Sequence, residues 1–230
     1  MPEAQLRRRV LMAGLLGLAC LLLAAPLAVG AERPGRPEER LRRLVLVPAE
    51  TRREFPEATL VRDHPLDGEA RTVLARLWRV AGARAGRLVG LGIVAGTRGF
   101  QAISVPAVDG IWLSAEYLTR LQDLPAEVRA RKLARVLGHE LGHLLAGHER
   151  HNETNELEAE RIGVRVFERA GFDCAWWVAS LDEIVEPAEA PGHAPGLGWA
   201  EAWAGLTKAV LIANAEEACR AAKAAGPAGR

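Results

Sequence analysis

The stretch Val136-Leu137-Gly138-His139-Glu140-Leu141-Gly142-His143-Leu144-Leu145 decides how the rest of the chain is read. It is an H-E-x-x-H pattern in an apolar, helical setting. Residues four apart lie on one face of a helix, about one turn from each other, so the imidazoles of His139 and His143 can share one zinc ion. Glu140 sits roughly 100° round from His139 and can reach a water beside that ion. Zinc used in catalysis needs a third protein ligand and an open fourth position.

The third ligand is expected thirteen residues past His143, in Glu156-Leu157-Glu158-Ala159-Glu160, which opens a second apolar-periodic segment through Ile162, Val164, Val166 and Phe167. Glu156 is the expected ligand. Glu158 lies about 200° from it round the helix, so only one of the two can face the metal. Glu160 is one turn on from Glu156, on the same side, and is placed to accept a hydrogen bond from the free N–H of a ligand histidine.

His139-Glu140-Leu141-Gly142-His143 with His148 five residues on, then Glu156-Leu157-Glu158-Ala159-Glu160-Arg161, then Glu168-Arg169-Ala170-Gly171-Phe172-Asp173, resembles the HtpX-type zinc peptidases. These are gluzincins, the group that includes the CAAX prenyl endopeptidases and periplasmic quality-control proteases. The resemblance spans roughly residues 98 to 175. It implies zinc on His139, His143 and Glu156, with Glu140 as catalytic base. It also implies a zincin-like α+β domain, with a small, mostly antiparallel sheet packed on the metal-binding helix and further helices after it. The family usually has Asp where this chain has Glu160, and the connection between the two helices is short here. The ImmA/IrrE-type peptidases, which share H-E-L-G-H followed by E-x-E-A, are a weaker resemblance.

Upstream, Phe100 to Pro106 and Gly110 to Ser114 read as two strands joined by a turn at Asp109-Gly110. Ser114 is placed to cap a helix through Leu121. Residues Ile111 to Leu113 are expected to form the open sheet edge along which an extended peptide aligns. Other expected elements are a strand at Leu44 to Val47, a helix from Asp67 or Gly68 to Gly82, and a strand from Leu88 to Val94. Pro125 suits a helix N-terminus. The polar connection His148 to Thr154 leads into a helix that ends near Gly171. A Pro/Gly-rich loop, Pro187 to Gly198, precedes a last helix from Trp199 to Ala224.

Further residues invite a role at the site. His148 matches a position that is often His in the resembled family. His193, in the Pro187 to Gly198 loop, could fold over the cleft as a transition-state donor or a fourth ligand. Tyr117, the only tyrosine, is read as a core residue, with an oxyanion donor as the alternative.

Arg7-Arg8-Arg9 precede Val10 to Ala31, 22 residues without a charge, ending in small residues suited to signal peptidase. The pattern implies export, with cleavage near Ala31. An uncleaved anchor through residues 10–31, long enough to span a bilayer, is the alternative. Either way residues 32–230 form one catalytic domain outside the cytoplasm, periplasmic or secreted. Beyond Ala31 the chain holds 27 basic and 28 acidic residues. Such a balance lacks the basic surface that nucleic acid needs and leaves a peptide or unfolded protein as the expected partner. Cys174 and Cys219, an even pair in an oxidising compartment, are expected to form a disulfide. The expected activity is hydrolysis of peptide bonds. A non-catalytic zinc-bound envelope-assembly factor is the alternative.

Overall fold

The computed structural model describes residues 41–81, 89–97, 101–149, 152–181 and 206–226. By its contacts the chain divides into Met1–Pro34 and Gly35–Arg230, and the described residues all belong to the second unit. The expected leader and loop readings (residues 1–31, His193 and Pro187 to Gly198) lie outside the described residues.

The second unit is α+β, with a small mixed sheet. Its strands are β1 (Arg42–Arg43), β2 (Thr59–Val61), β3 (Gly90–Ala95), β4 (Ala102–Val105) and β5 (Gly110–Ser114). They stand in the order β1-β3-β5-β4, with β2 pairing β3 as well. The helices are α1 (Ala49–Glu54), α2 (Asp67–Val80), α3 (Ala115–Leu121), α4 (Ala126–Ala146), α5 (Glu153–Arg169), α6 (Cys174–Ser180) and α7 (Lys208–Ala224).

The expected hairpin is present: β4 and β5 run antiparallel, Ala102 opposite Leu113 and Val105 opposite Gly110. Asp109 makes the turn in the left-handed region at φ 47°, which short polar side chains tolerate. Ser114 caps α3, accepting from the Tyr117 N–H. The sheet departs from expectation in two respects. It is mixed rather than mostly antiparallel, because the chain leaves β3, passes over the neighbouring place to form β4, and returns through the hairpin to insert β5 between them. β3 and β5 are therefore parallel, Gly90 opposite Gly110 and Val94 opposite Ser114. For the same reason Ile111 to Leu113 are interior rather than an edge. Among the described residues β4 forms one edge of the sheet, and β1 with β2 the other.

Alternation along the strands builds two apolar layers. Leu91, Ile93, Ala102, Ile111 and Leu113 face the helices and join Leu74, Leu77, Leu137, Leu141, Phe167 and Trp177 in the main core. Val94, Ile103, Val105 and Trp112 face the other way, under Val47, Phe55 and Ala58. This second layer explains a wrong expectation. The strand is Arg42–Arg43; the Leu44 N–H still donates to the Leu91 carbonyl at 3.0 Å, but from there the run leaves the ladder, and the side chains of Leu44 and Val47 cover the sheet. Of the span expected for the last helix, residues 199–205 lie outside the described residues, and the described helix begins after Leu206 and Thr207. Thr207 caps it through the Val210 N–H, and Lys208 is its first residue.

The helical layer is fixed by one close crossing. α4 carries Gly138 and Gly142, one turn apart, against Ala159 and Gly163 of α5. A Cβ at Gly142 would lie 2.3 Å from the Ala159 carbonyl oxygen, and one at Gly163 3.0 Å from the Gly138 carbonyl oxygen. Glycine inside a helix costs about 1 kcal/mol relative to alanine, so two of them in α4 need a packing reason, and the contact supplies it. α7 is tied to this pair. Asn214 donates to the Leu157 carbonyl at 3.0 Å and accepts from Arg161, while Cys219 is bonded to Cys174 at the start of α6. The expected disulfide is present.

Candidate metal centre

The close approach of α4 and α5 brings three donor atoms together. His139 Nε2 is 3.1 Å from His143 Nε2 and 3.2 Å from Glu156 Oε2. The third side, His143 Nε2 to Glu156 Oε2, is 3.5 Å. The three residues form a group that could hold a metal ion. Tetrahedral bonds of 2.0–2.1 Å require donors about 3.3 Å apart, so the triangle has the right size for a small divalent cation. Glu156 is fully buried and His143 nearly so, whereas 18% of the His139 side chain meets solvent and marks the open side.

The charge of the set points the same way. Glu140, Glu156 and Glu160 are all buried, at 4%, 0% and 3% exposure. Burying carboxylates is costly unless cations or donors compensate them. Glu140 Oε2 has no hydrogen-bond partner. Such an orphaned buried oxygen calls for a ligand or water beside it.

Each histidine of the triangle is held from behind. His139 Nδ1 is 3.1 Å from Glu160 Oε2, and the Trp177 indole N–H donates to Glu160 Oε1 at 2.6 Å. This arm is buried. His143 Nδ1 is 3.1 Å from His148 Nδ1, and His148 Nε2 is 3.2 Å from Glu158 Oε2. The second arm depends on how α4 stops. Gly147 adopts φ 73°, and the N–H groups of Gly147 and His148 both close on the His143 carbonyl, at 2.9 and 3.0 Å. That left-handed stop folds His148 back beside His143. Asn152 then caps α5 through the Asn155 N–H, which starts the second helix early enough for Glu156 to face the triangle.

The protonation of the metal-free site follows from these contacts. Burial works against a charge on His139, but Glu156 and Glu160 outweigh it and raise its pKa to about 10. Burial, aided by the charge on His139, lowers that of His143. Burial alone would raise Glu160, yet the hydrogen bond and charge of His139, with Arg135 and Trp177, hold it below the usual carboxylate range.

Of the residues singled out in the sequence, the structure brings His139, Glu140, His143, His148, Glu156 and Glu160 together. Tyr117 is placed elsewhere. Its hydroxyl donates to the Lys132 carbonyl at 3.1 Å, two turns before His139, and the side chain is buried, which is the core position expected of it and sets the oxyanion alternative aside. Sequence reasoning misses Glu158 and Trp177. Glu158 faces His148 rather than the His139–His143–Glu156 triangle, a question that the spacing of Glu156, Glu158 and Glu160 already raises. Trp177 reads only as core. A second acidic group at Glu168, Asp173 and Cys174 has a simpler explanation. Cys174 is in the disulfide, and the two carboxylates accept the N–H groups of Cys174 and Ala175.

No family model matches the chain, and no curated protein is found to be similar to it. The geometry therefore carries the functional reading.

Proposed function

We propose that the protein is an exported, zinc-dependent peptidase with a zincin-like catalytic domain. The observation that carries this is the His139–His143–Glu156 triangle, with the partnerless carboxylate oxygen of Glu140 buried beside it. Two imidazole nitrogens and one carboxylate are a donor set that suits zinc. Three protein ligands leave the fourth position open, as catalytic sites do and structural sites do not. When bound, zinc supplies Lewis acidity, polarising a peptide carbonyl and acidifying a water toward neutrality. Glu140 takes the proton of the attacking water on its free oxygen and passes it to the departing amine. Glu160 and His148 keep the Nε2 lone pairs of His139 and His143 directed at the metal.

The substrate is an extended peptide or unfolded protein. β4 packs against α4, the helix that carries both histidines, and its outer edge has unpaired backbone groups to offer among the described residues. Addition of a strand there would give affinity independent of side chains. Export rests on the leading arginines and apolar run, and the Cys174–Cys219 disulfide fits an oxidising compartment. Among the described residues no helix is long and apolar enough to cross a membrane.

The test is hydrolysis of casein or a quenched peptide by the purified protein. Activity that is lost on chelation and restored by about one equivalent of zinc supports the reading. A rate unchanged by thorough metal removal would refute it.

A further inference from the structure

The two proposed ligand histidines have unlike outer partners. His139 leans on Glu160, a buried carboxylate locked by Trp177. His143 leans on another histidine, 7% exposed, which leans in turn on Glu158, a carboxylate 54% exposed. We infer that His148 and Glu158 form a positioning relay for His143, and that this relay sets how tightly the site holds its metal. The inference rests on the metal-binding part of the reading above, not on peptidase activity.

The direction of the relay follows from atom positions. Both Nε2 atoms face the centre of the triangle, 3.1 Å apart. A metal there takes the Nε2 lone pair of His143, which leaves the ring proton on Nδ1. That N–H points at His148 Nδ1, 3.1 Å away, and His148 must accept it. The His148 proton is then on Nε2, 3.2 Å from Glu158 Oε2, and donates to that carboxylate. The opposite tautomer of either ring would set two lone pairs or two N–H groups against each other. The rings meet edge-on, 73° between planes, so one nitrogen of His148 can face His143 while the other faces Glu158. The carboxylate polarises His148, which makes His143 a stronger donor to the metal.

The backbone is arranged for this. The left-handed Gly147 turns His148 under His143. A short connection leads to the Asn152 cap and returns α5 over the same turn. Glu158 lies about 200° round α5 from Glu156, away from the α4–α5 seam and toward His148. The short gap between the helices, which departs from the resembled family, lets the stop at Gly147 place the bridge to Glu158 in the very next residue, His148.

The relay is tested by titrating cobalt(II), a spectroscopic stand-in for zinc, into the metal-free full chain, wild type, His148→Ala, Glu158→Ala and Glu158→Gln. Glu158 is on the surface, so Glu158→Ala leaves the fold intact, checked by an unchanged unfolding midpoint without metal. Loss of an outer partner typically weakens metal binding about 10–100-fold. His148→Ala is expected in that range, with a shifted cobalt d–d band. Glu158→Ala is expected to weaken binding about tenfold, since water can replace part of its role. Glu158→Gln, which keeps an acceptor oxygen, should recover part of the loss. Cobalt affinity within about twofold of wild type and an unshifted band in both alanine variants would overturn the inference. A wild-type chain that takes up neither cobalt nor zinc overturns both the relay and the metal reading. A chain that binds cobalt with these differences but hydrolyses no peptide supports the relay and removes only the peptidase.

Discussion

Replacing Gly142 with alanine tests the helix crossing that assembles the centre. Helix propensity alone predicts a gain of about 1 kcal/mol, because alanine is the better helix former. The structure predicts the opposite. The new Cβ would stand 2.3 Å from the Ala159 oxygen, 2.7 Å from its Cα and 2.8 Å from its carbonyl carbon, all backbone atoms that no rotamer change can move. Restoring an ordinary 3.4 Å contact requires α5 to retreat by about 1 Å. Overpacking of this kind costs about 1–3 kcal/mol or more, so the propensity gain is consumed and a net loss of about 2 kcal/mol is expected. The functional cost is larger. Glu156 lies one turn before Ala159, and metal sites tolerate only about 0.2 Å in a donor distance. A 1 Å retreat removes Glu156 from the triangle, and metal affinity should fall beyond the 10–100-fold typical of a lost outer partner. Gly68→Ala is the matched control. It is the same change in the first turn of α2, nothing lies within 4 Å of the added methyl, and a gain of about 0.5–1 kcal/mol is expected. Denaturant unfolding and metal titration of both variants give the comparison. A Gly142→Ala protein as stable as Gly68→Ala and still holding its metal would overturn this view of the crossing.

Four further outcomes follow from the structure. Metal uptake should displace about one proton, because metal-free His139 stays charged up to about pH 10 while His143 is already neutral. Apparent affinity should therefore rise about tenfold per pH unit from neutrality toward pH 10 and then level off, and calorimetry in buffers of different ionisation enthalpy counts the proton. By the same shift, the pair between His139 and its carboxylates stabilises the metal-free fold below pH 6.5, and this contribution is lost as pH rises through about 10. Trp177→Phe keeps an aromatic ring, though a smaller one, and deprives Glu160 Oε1 of its donor, and chemical denaturation should show a loss of at least about 1.5–3 kcal/mol with weakened zinc binding. Replacing Cys174 and Cys219 together by serine opens a loop of 45 residues, and the unfolding free energy should fall by about 4 kcal/mol on the loop-closure estimate.

The parts of this molecule that are local in sequence can be read from it. One helical turn separates His139 from His143 and Glu156 from Glu160, and each pair shares a face because 3.6 residues make a turn. Ser114, Pro125, Gly147 and Gly171 mark element ends through their own backbone chemistry. The unreadable parts depend on which distant segments meet. Nothing in Gly110 to Ser114 says that β3 will flank it on the side away from β4, so the local pattern leaves β5 at the edge. The run Leu44 to Val47 has a strand's composition whether it pairs with the sheet or covers it. Tyr117 can be matched with a carbonyl at Lys132 only once α3 is known to lie beside α4. Glu158 and Trp177 have ordinary local settings, on a helix surface and in a core. Their roles appear only when His148 and Glu160 are seen beside them.

Peptidase chemistry at this centre stands or falls on Glu140→Gln, with zinc content and casein hydrolysis measured on the same sample as wild type. Glutamine keeps the shape of Glu140 and removes its ability to accept the proton. About one zinc per chain is expected in both proteins, with hydrolysis by the wild type and a loss of at least about 10²-fold in the variant, the scale of a general base. A Glu140→Gln protein that cleaves at the wild-type rate would contradict the assignment of Glu140 as the base.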